Sequence, residues 1–296
     1  MKLILSRKGF DSASGGVANP ILPDGRLCPL PIPDPRSQLC YRDMQLDNRA
    51  LPACYNHLGA LVADLSRGKL GAGDRGHLDP DLTADTIARA DGWRPAFGQA
   101  GAAQGHLHNQ AIGPGDLFLF YGWFRRVEFT GGRLQYVAAA PDLHVIYGWL
   151  QVDTVVYPQR SMAAAIPPWL RDHPHCAPDF ARPNAIYVAR ERLAVPGVST
   201  HRAGGGMFPA YDAARQLTAA GSQQRSVWRL PGWFYPPAPE QALSYHGRMA
   251  RWQQRGEHVF LQTVGRGQEF VLDCAQYAQC RAWLAALLAN DDRVTG

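Results

Sequence analysis

The 296-residue sequence contains no apolar run approaching the roughly 20 residues that a membrane-spanning helix needs, so no membrane segment is expected. The apolar stretch at residues 3–5 is far too short for a secretory leader, and a cytoplasmic protein is expected. The six cysteines, at positions 28, 40, 54, 176, 274 and 280, include no CxxC pair. That spacing excludes zinc-knuckle and redox-motif readings and leaves buried thiols as the simplest expectation. GxSxG, HExxH and GxxxxGK[ST] strings are also missing, which removes support for serine-hydrolase, zincin and P-loop chemistry. The basic residues, mainly arginines, are spread along the chain and form no tail.

Composition is that of a globular chain, with 46% hydrophobic and 19% charged residues. The 30 glycines and 23 prolines point to a loop-rich, β-containing fold and away from a helical bundle. A net charge of +5 favours anionic partners, and a phosphate-bearing small substrate suits it at least as well as duplex DNA. Hydrophobic patterning predicts a short buried strand at 2–5 and an amphipathic helix over 56–67, with Leu58, Leu61, Val62 and Leu65 on one face. The middle of the chain reads as β-structure: an aromatic strand at 117–124, a turn at 130–133, a returning strand at 134–137 and another strand at 143–152. The echo between Phe120-Tyr121-Gly122-Trp123-Phe124 and Ile146-Tyr147-Gly148-Trp149-Leu150 suggests neighbouring strands of one curved sheet, bent or bulged at the glycines. A Pro/His-rich connector comes after residue 158, then a strand at 185–188, an irregular stretch at 228–239, a hairpin joining 259–264 to 268–272, and a final helix capped by Asp273. Together these predict an α+β fold: one domain over residues 1–296, built on a curved mixed or antiparallel sheet or partial barrel, with flanking helices and long Pro/Gly-rich loops.

Several strings are highly particular: SRKGFDS at 6–12, PILPDG at 20–25, HLDPDL at 77–82, GQAGAAQGHLHNQ at 98–110 and GDLFLFYGWFRR at 115–126. LHVIYGWLQV at 143–152, SVWRLPGWF at 226–234, LSYH at 243–246 and RGQEFVLD at 266–273 continue them. In this order, over about residues 1–275, the chain resembles the third family of nucleotide modification associated domains. The resemblance implies association with systems that alter nucleotides or DNA bases, and hence a nucleotide or nucleic-acid base as substrate. The GDLFLFYGWF and LHVIYGWLQV pair, within about 95–158, is also similar to part of a PUA or EVE-type barrel, whose pockets hold modified bases.

The sharpest cluster of chemistry-bearing residues is His77-Leu78-Asp79-Pro80-Asp81. In extended chain its imidazole and two carboxylates project to one side, a set suited to a divalent metal. The same residues also fit a turn at Asp79-Pro80, with Asp81 capping a helix over 82–88. Arg7, Lys8, Asp11 and Ser12, closing on Gly15-Gly16, form a candidate phosphate cradle or a solvated surface turn. His246, with Arg266 and Glu269 downstream, is similar to the distal part of iron and 2-oxoglutarate oxygenases, in which the arginine grips the cosubstrate carboxylate. His77 and Asp79 are then the proximal ligands, and iron with 2-oxoglutarate the implied cofactors. His258 is a rival distal ligand, and His201-Arg202-Ala203 is similar to the carboxylate-lacking motif of iron halogenases. His106 is a candidate acid or base and His144 a candidate pocket residue, while Trp123, Trp149, Trp228, Trp233 and Phe234 are candidates for base stacking or for the core.

These residues support two functions. One is a divalent-metal enzyme that modifies a nucleotide or base, with His77, Asp79, Asp81, His246 and His106 at the reaction centre. In it Arg7, Lys8 and Arg266 bind phosphate, and Asp11, Ser12, Glu269 and Trp123 complete the substrate site. The other is a non-catalytic reader holding a modified base near Tyr121, Trp123 and Trp149.

Overall fold

The structure, a computed structural model, describes residues 1–160, 166–177, 180–196, 201–265 and 267–289. Strands β1 (Lys2–Arg7), β2 (Asn19–Ile21) and β3 (Ile32–Pro33) lead to helix α1 (Leu58–Leu65), then β4 (Gly76–His77), β5 (Ala96–Ala100) and α2 (Gly101–Asn109). The long strands β6 (Leu117–Thr130) and β8 (Leu143–Val156) flank β7 (Arg133–Tyr136), and β9 (Asn184–Ala189) and β10 (Gly205–Met207) come next. The C-terminal part holds β11 (Val227–Pro231), β12 (Trp252–Arg255), β13 (His258–Gln262), β14 (Glu269–Asp273) and α3 (Cys280–Ala289).

A mixed nine-stranded sheet runs β14-β1-β6-β8-β9-β5, with β2 and β7 on β6 and β10 on β8. It is open, as the expected partial barrel allows, and the α+β class holds. The strands at its two ends approach each other all the same: Gln99 on β5 donates to Glu269 on β14 at 2.5 Å. Lys8, just past β1, joins the same Glu269 oxygen at 2.8 Å. This seam is closed by side chains, with α2 packed beside β5 and β14.

The echoed aromatic segments are antiparallel neighbours, as their pattern suggested, and a bulge lies between them. Pairing passes from Phe120–Gly148 to Tyr121–Ile146, which leaves Tyr147 as the extra residue. Strand residues alternate between faces, so one extra residue reverses the phase of the strand beyond it. Tyr147 therefore joins Phe97, Phe118, Phe120 and Tyr187 on one face. Ile146, Trp149 and Tyr121 face the other way, against Trp228, Phe270 and α3. The β6–β7 turn is as expected: Gly131 and Gly132 both have positive φ (59° and 79°), the geometry of a two-residue hairpin that only glycine adopts without strain.

Four expectations about the C-terminal part are corrected. The segments 259–264 and 268–272 do not pair with each other: β13 lies between β11 and β12 in a separate three-stranded sheet, and β14 pairs with β1. The stretch expected to be irregular begins with β11. Asp273 caps a short 3₁₀ turn at Cys274–Gln276, and α3 starts later. Cys274 and Cys280, expected as thiols, are joined in a disulfide. Among the described residues no helix is long and apolar enough to cross a membrane.

Candidate metal centre

The segment after β4 runs beside the free edge of β5. Asp81 pairs antiparallel with Ala96, each backbone N–H donating to the other's carbonyl at 2.9 Å. In that register Asp79, two residues earlier, falls beside Gly98, two residues later, and its Oδ1 accepts the Gly98 N–H at 2.8 Å. An unpaired edge amide thus fixes the carboxylate. His77 is set by the β3–β4 pairing, which brings Asp34 within 3.2 Å of its Nδ1. His175 lies on a 3₁₀ turn at Pro174–Cys176 and packs flat on the backbone of Gly98, where a Cβ would sit 2.3 Å from the ring.

One nitrogen each from His77 and His175 and one oxygen of Asp79 lie within 4.8 Å of one another. His77 Nε2 is 3.8 Å and His175 Nε2 3.4 Å from Asp79 Oδ2. Ligands about 2.0–2.1 Å from one ion stand roughly 3.0–3.4 Å apart, so a small closure of this site reaches coordination distances.

The tautomers are set by the outer partners. Asn184 spends its amide N–H groups on His175 O (2.8 Å) and Gln159 Oε1 (3.0 Å), so its Oδ1 is the acceptor that takes the His175 Nδ1–H at 2.7 Å. Asp34 is a carboxylate gripped by Arg36 at 3.0 and 3.1 Å, and it accepts the His77 Nδ1–H. In the neutral form that metal ligation needs, both histidines therefore carry the proton on Nδ1 and turn Nε2 toward Asp79. His173 behaves differently: its Nδ1 accepts the His175 backbone N–H at 3.2 Å, so the proton sits on Nε2, 3.5 Å from Asp79 Oδ1. That nitrogen makes no hydrogen bond among the described residues, and Asp79 Oδ2 faces the other two histidines.

Charges agree with this. Burial opposes ionisation of Asp79, but contacts from His173, His175 and His77 outweigh it and hold the carboxyl well below its ordinary value. Burial lowers His175 against the pull of Asp79 and keeps it neutral. At Asp34 burial also raises the pKa, and the Arg36 hydrogen bonds with His77 nearby bring it below the ordinary range. Two imidazoles and one carboxylate, each imidazole backed by an oxygen acceptor, form a candidate metal-ligand set with a supporting shell around it.

Of the three, Asp79 lines a cleft of about 490 Å³, together with Tyr147, Leu27, Leu82, Met207 and Phe208 among others, with Gly9 on its wall. The bulge at Tyr147 is what turns that ring toward the cleft.

The sequence model of the family described as nucleotide modification associated domain 3 matches residues 2–273. The chain belongs to that family. No curated protein and no solved structure matches it.

The residues this nucleotide modification associated domain was expected to gather are only partly brought together. His77 and Asp79 meet; Asp81 does not join them, because Arg89 holds both its oxygens at 2.6 Å. No helix is found after Asp81 at 82–88. His246 is buried elsewhere, with Nδ1 on Ser244 O (2.9 Å) and Nε2 accepting the Val264 N–H (3.2 Å), so neither nitrogen can ligate. Burial pushes it down to about 4. The alternatives His201 and His258 are exposed and outside the cluster, and Arg266 lies outside the described residues.

His106, on α2, contacts Ser244 Oγ at 3.0 Å and stacks on Tyr245, and burial lowers its pKa. Lys8 and Glu269 pair with each other across the seam instead of awaiting a phosphate. Asp11 closes a local turn on the Ala13 and Ser14 amides at 2.8 Å, and Ser12 Oγ accepts from Arg225 at 2.7 Å. Trp123 lies under the Arg225 guanidinium at 4.2 Å. Tyr121 and Trp149 are core side chains without a free stacking face.

His175, its companion His173 and the supporting Asn184 and Asp34 were missed. Only the His-Pro-His string of the Pro-rich connector at 173–175 signalled the first two.

Proposed function

We propose that this protein is a divalent-metal-dependent enzyme that modifies a nucleotide or nucleic-acid base, with His77, Asp79 and His175 as metal ligands. The observation that carries the reading is the convergence of His77 Nε2 and His175 Nε2 on one buried Asp79 oxygen, all three atoms within 4.8 Å of one another. With both Nε2 atoms deprotonated, as metal ligation requires, three electron-rich atoms face one another in a buried site and repel unless a cation lies among them. A bound divalent cation would supply Lewis-acid chemistry or, as iron, oxidative chemistry. Asp34 and Asn184 orient the two histidines. The apolar wall of Leu27, Leu82, Met207 and Phe208 suits the flat face of a base, and Gln45 and Asp85 offer polar edges for its heteroatoms. The family's association with nucleotide modification supports the substrate class. We treat residues 1–296 as one domain, a view supported by the pairing of the first strand with β14.

A second reading, an iron and 2-oxoglutarate oxygenase, is favoured by the chain order His-x-Asp…His, here His77, Asp79 and His175. Metal analysis of the purified protein tests both. Near-stoichiometric zinc, manganese or iron in the wild type, lost in His77→Ala, Asp79→Asn and His175→Ala, is the expected result. Iron with nucleotide-dependent formation of succinate from 2-oxoglutarate selects the oxygenase. A metal-free protein that takes up no divalent ion, or variants that retain it, would refute the centre and leave a base-binding module.

A further inference from the structure

Beyond Arg7 the strand end serves two faces of the sheet. Arg7 is paired with Tyr121, whose ring lies on the face opposite Tyr147 and the metal cleft. On that face is a second hollow of about 370 Å³, lined by Arg7, Tyr121, Asp142, His144, Arg225 and Thr263 among others. His144 is buried, and its Nδ1 accepts the Trp228 indole N–H at 2.9 Å. Its proton therefore sits on Nε2, and that N–H has no partner among the described residues. Arg7 Nε is likewise buried without a partner among them. Arg225 is held in place, stacked on Trp123 at 4.2 Å and bonded to Ser12 at 2.7 Å. Burial and then the nearby Arg225 and Arg7 charges push His144 down to about 3, which fixes it as a neutral donor.

The hollow thus offers two permanent cations, an imidazole N–H and hydroxyl groups against a single carboxylate, Asp142. Unpaired buried donors of this kind match a compact anion with several acceptor oxygens and disfavour a cation or an apolar group. We propose that the Arg7–His144–Arg225 hollow binds a phosphate group of a nucleotide or nucleic acid, on the opposite side of the sheet from the metal centre. The phosphate's origin in the substrate rests on the nucleotide-modifying reading; the hollow's affinity for it does not.

Arg7 lines the hollow and Gly9 the metal cleft, so one short loop serves both.

The test is a tryptophan-fluorescence titration, since Trp123 touches Arg225 and Trp228 touches His144. Inorganic phosphate, adenosine monophosphate and a short single-stranded oligonucleotide are added in turn to the wild type and to Arg225→Ala, Asp142→Asn and His77→Ala. The wild type is expected to saturate with phosphate and to weaken with added salt. Arg225→Ala should lose about tenfold or more in affinity, as removal of one charge-assisted contact does. Asp142→Asn should gain, on the order of threefold or more, by removing the one opposing charge, a gain that a misfolded variant cannot imitate. His77→Ala should bind phosphate as the wild type does, even if the metal reading fails. An oligonucleotide bound tenfold more tightly than the mononucleotide assigns the phosphate to a polymer, and equal affinity assigns it to a free nucleotide. No saturable response in the wild type, or unchanged affinity in both Arg225→Ala and Asp142→Asn, overturns the proposal.

Discussion

Gly98→Ala is the most telling single substitution. The backbone at Gly98 is open to any residue, so the effect of a methyl group there comes from what it meets. The added Cβ would lie 2.3 Å from Cγ and Cδ2 of His175 and 2.7 Å from its Nε2. Ordinary carbon contacts are about 3.5–4.0 Å, so the ring must retreat by roughly 1.2–1.7 Å. It cannot do so and keep its 2.7 Å bond to Asn184. Overpacking of this kind destabilises by about 1–3 kcal/mol, and at about 2–4 °C per kcal/mol the melting temperature should fall by about 2–12 °C. Displacing a ligand by more than about 0.5 Å takes it out of productive geometry, so metal affinity should fall at least as far as the roughly 10–100-fold typical of a damaged supporting shell. The double variant Gly98→Ala/His175→Ala removes the clash along with the ring. Its stability should then equal or exceed that of His175→Ala alone, a coupling of about 1–3 kcal/mol in a double-mutant cycle. Metal binding stays lost in both. Thermal unfolding and calorimetric metal titration of the four proteins decide the matter. A Gly98→Ala protein with wild-type metal affinity, or strictly additive stabilities in the cycle, would show that His175 does not sit where its ligand role requires.

Asn184→Ala removes the acceptor that fixes the His175 tautomer and should weaken metal binding about 10–100-fold by calorimetry; a change below about threefold would contradict the tautomer argument. His246→Ala should leave metal stoichiometry untouched while lowering the urea midpoint, because His246 ties Ser244 to Val264 inside the core; loss of the metal would restore it as a ligand. The buried His144 and His246, pushed down to about 3 and about 4, stay neutral when folded but take up protons near pH 6.5 when unfolded. Their contribution is therefore present above about pH 6.5 and lost as the pH falls toward the folded values. Between pH 7.5 and 5 each should account for about 2 kcal/mol of lost stability, seen as a falling urea midpoint, and a flat profile would refute their burial as neutral groups.

How much of this was legible in the sequence depends on range. The alternation His77-x-Asp79 picked out two of the three proposed ligands, since alternate residues in extended chain share a face whatever the rest of the molecule does. Asp81 shares that periodicity but is claimed by Arg89, a contact that alternation does not encode. The third proposed ligand, His175, lies almost a hundred residues away, in a connector with no periodic signal, and is placed by Gly98 and Asn184 on two different strands. His246 failed for the complementary reason: its neighbours Leu243 and Phe270 are core residues, and burial consumed both its nitrogens in local bonds. The aromatic strands β6 and β8 were readable because their patterns repeat. The 259–272 hairpin was misread because its glycine-flanked turn crosses from one sheet to another.

The location of the site is a consequence of the sheet being open. A closed barrel would use every edge amide in its ladder; here β5 keeps a free edge, and the Gly98 N–H on that edge is what holds Asp79. The next residue, Gln99, reaches across to Glu269 and through it to Lys8, so the strand that orients the metal ligand also ties the seam. Glu269 is 1% exposed and its second oxygen has no partner among the described residues, so the pair with Lys8 is a buried charge pair with no reserve. Breaking such a pair typically costs about 3–5 kcal/mol, because the remaining charge stays buried. Lys8→Met should therefore loosen β5 against β14 and, through Gln99 and Gly98, reduce metal affinity although Lys8 touches no ligand. Lys8→Met/Glu269→Leu, which removes both charges, should recover stability and metal binding together. Recovery of stability without recovery of metal binding would mean that seam and centre are independent, and that the open edge alone positions Asp79.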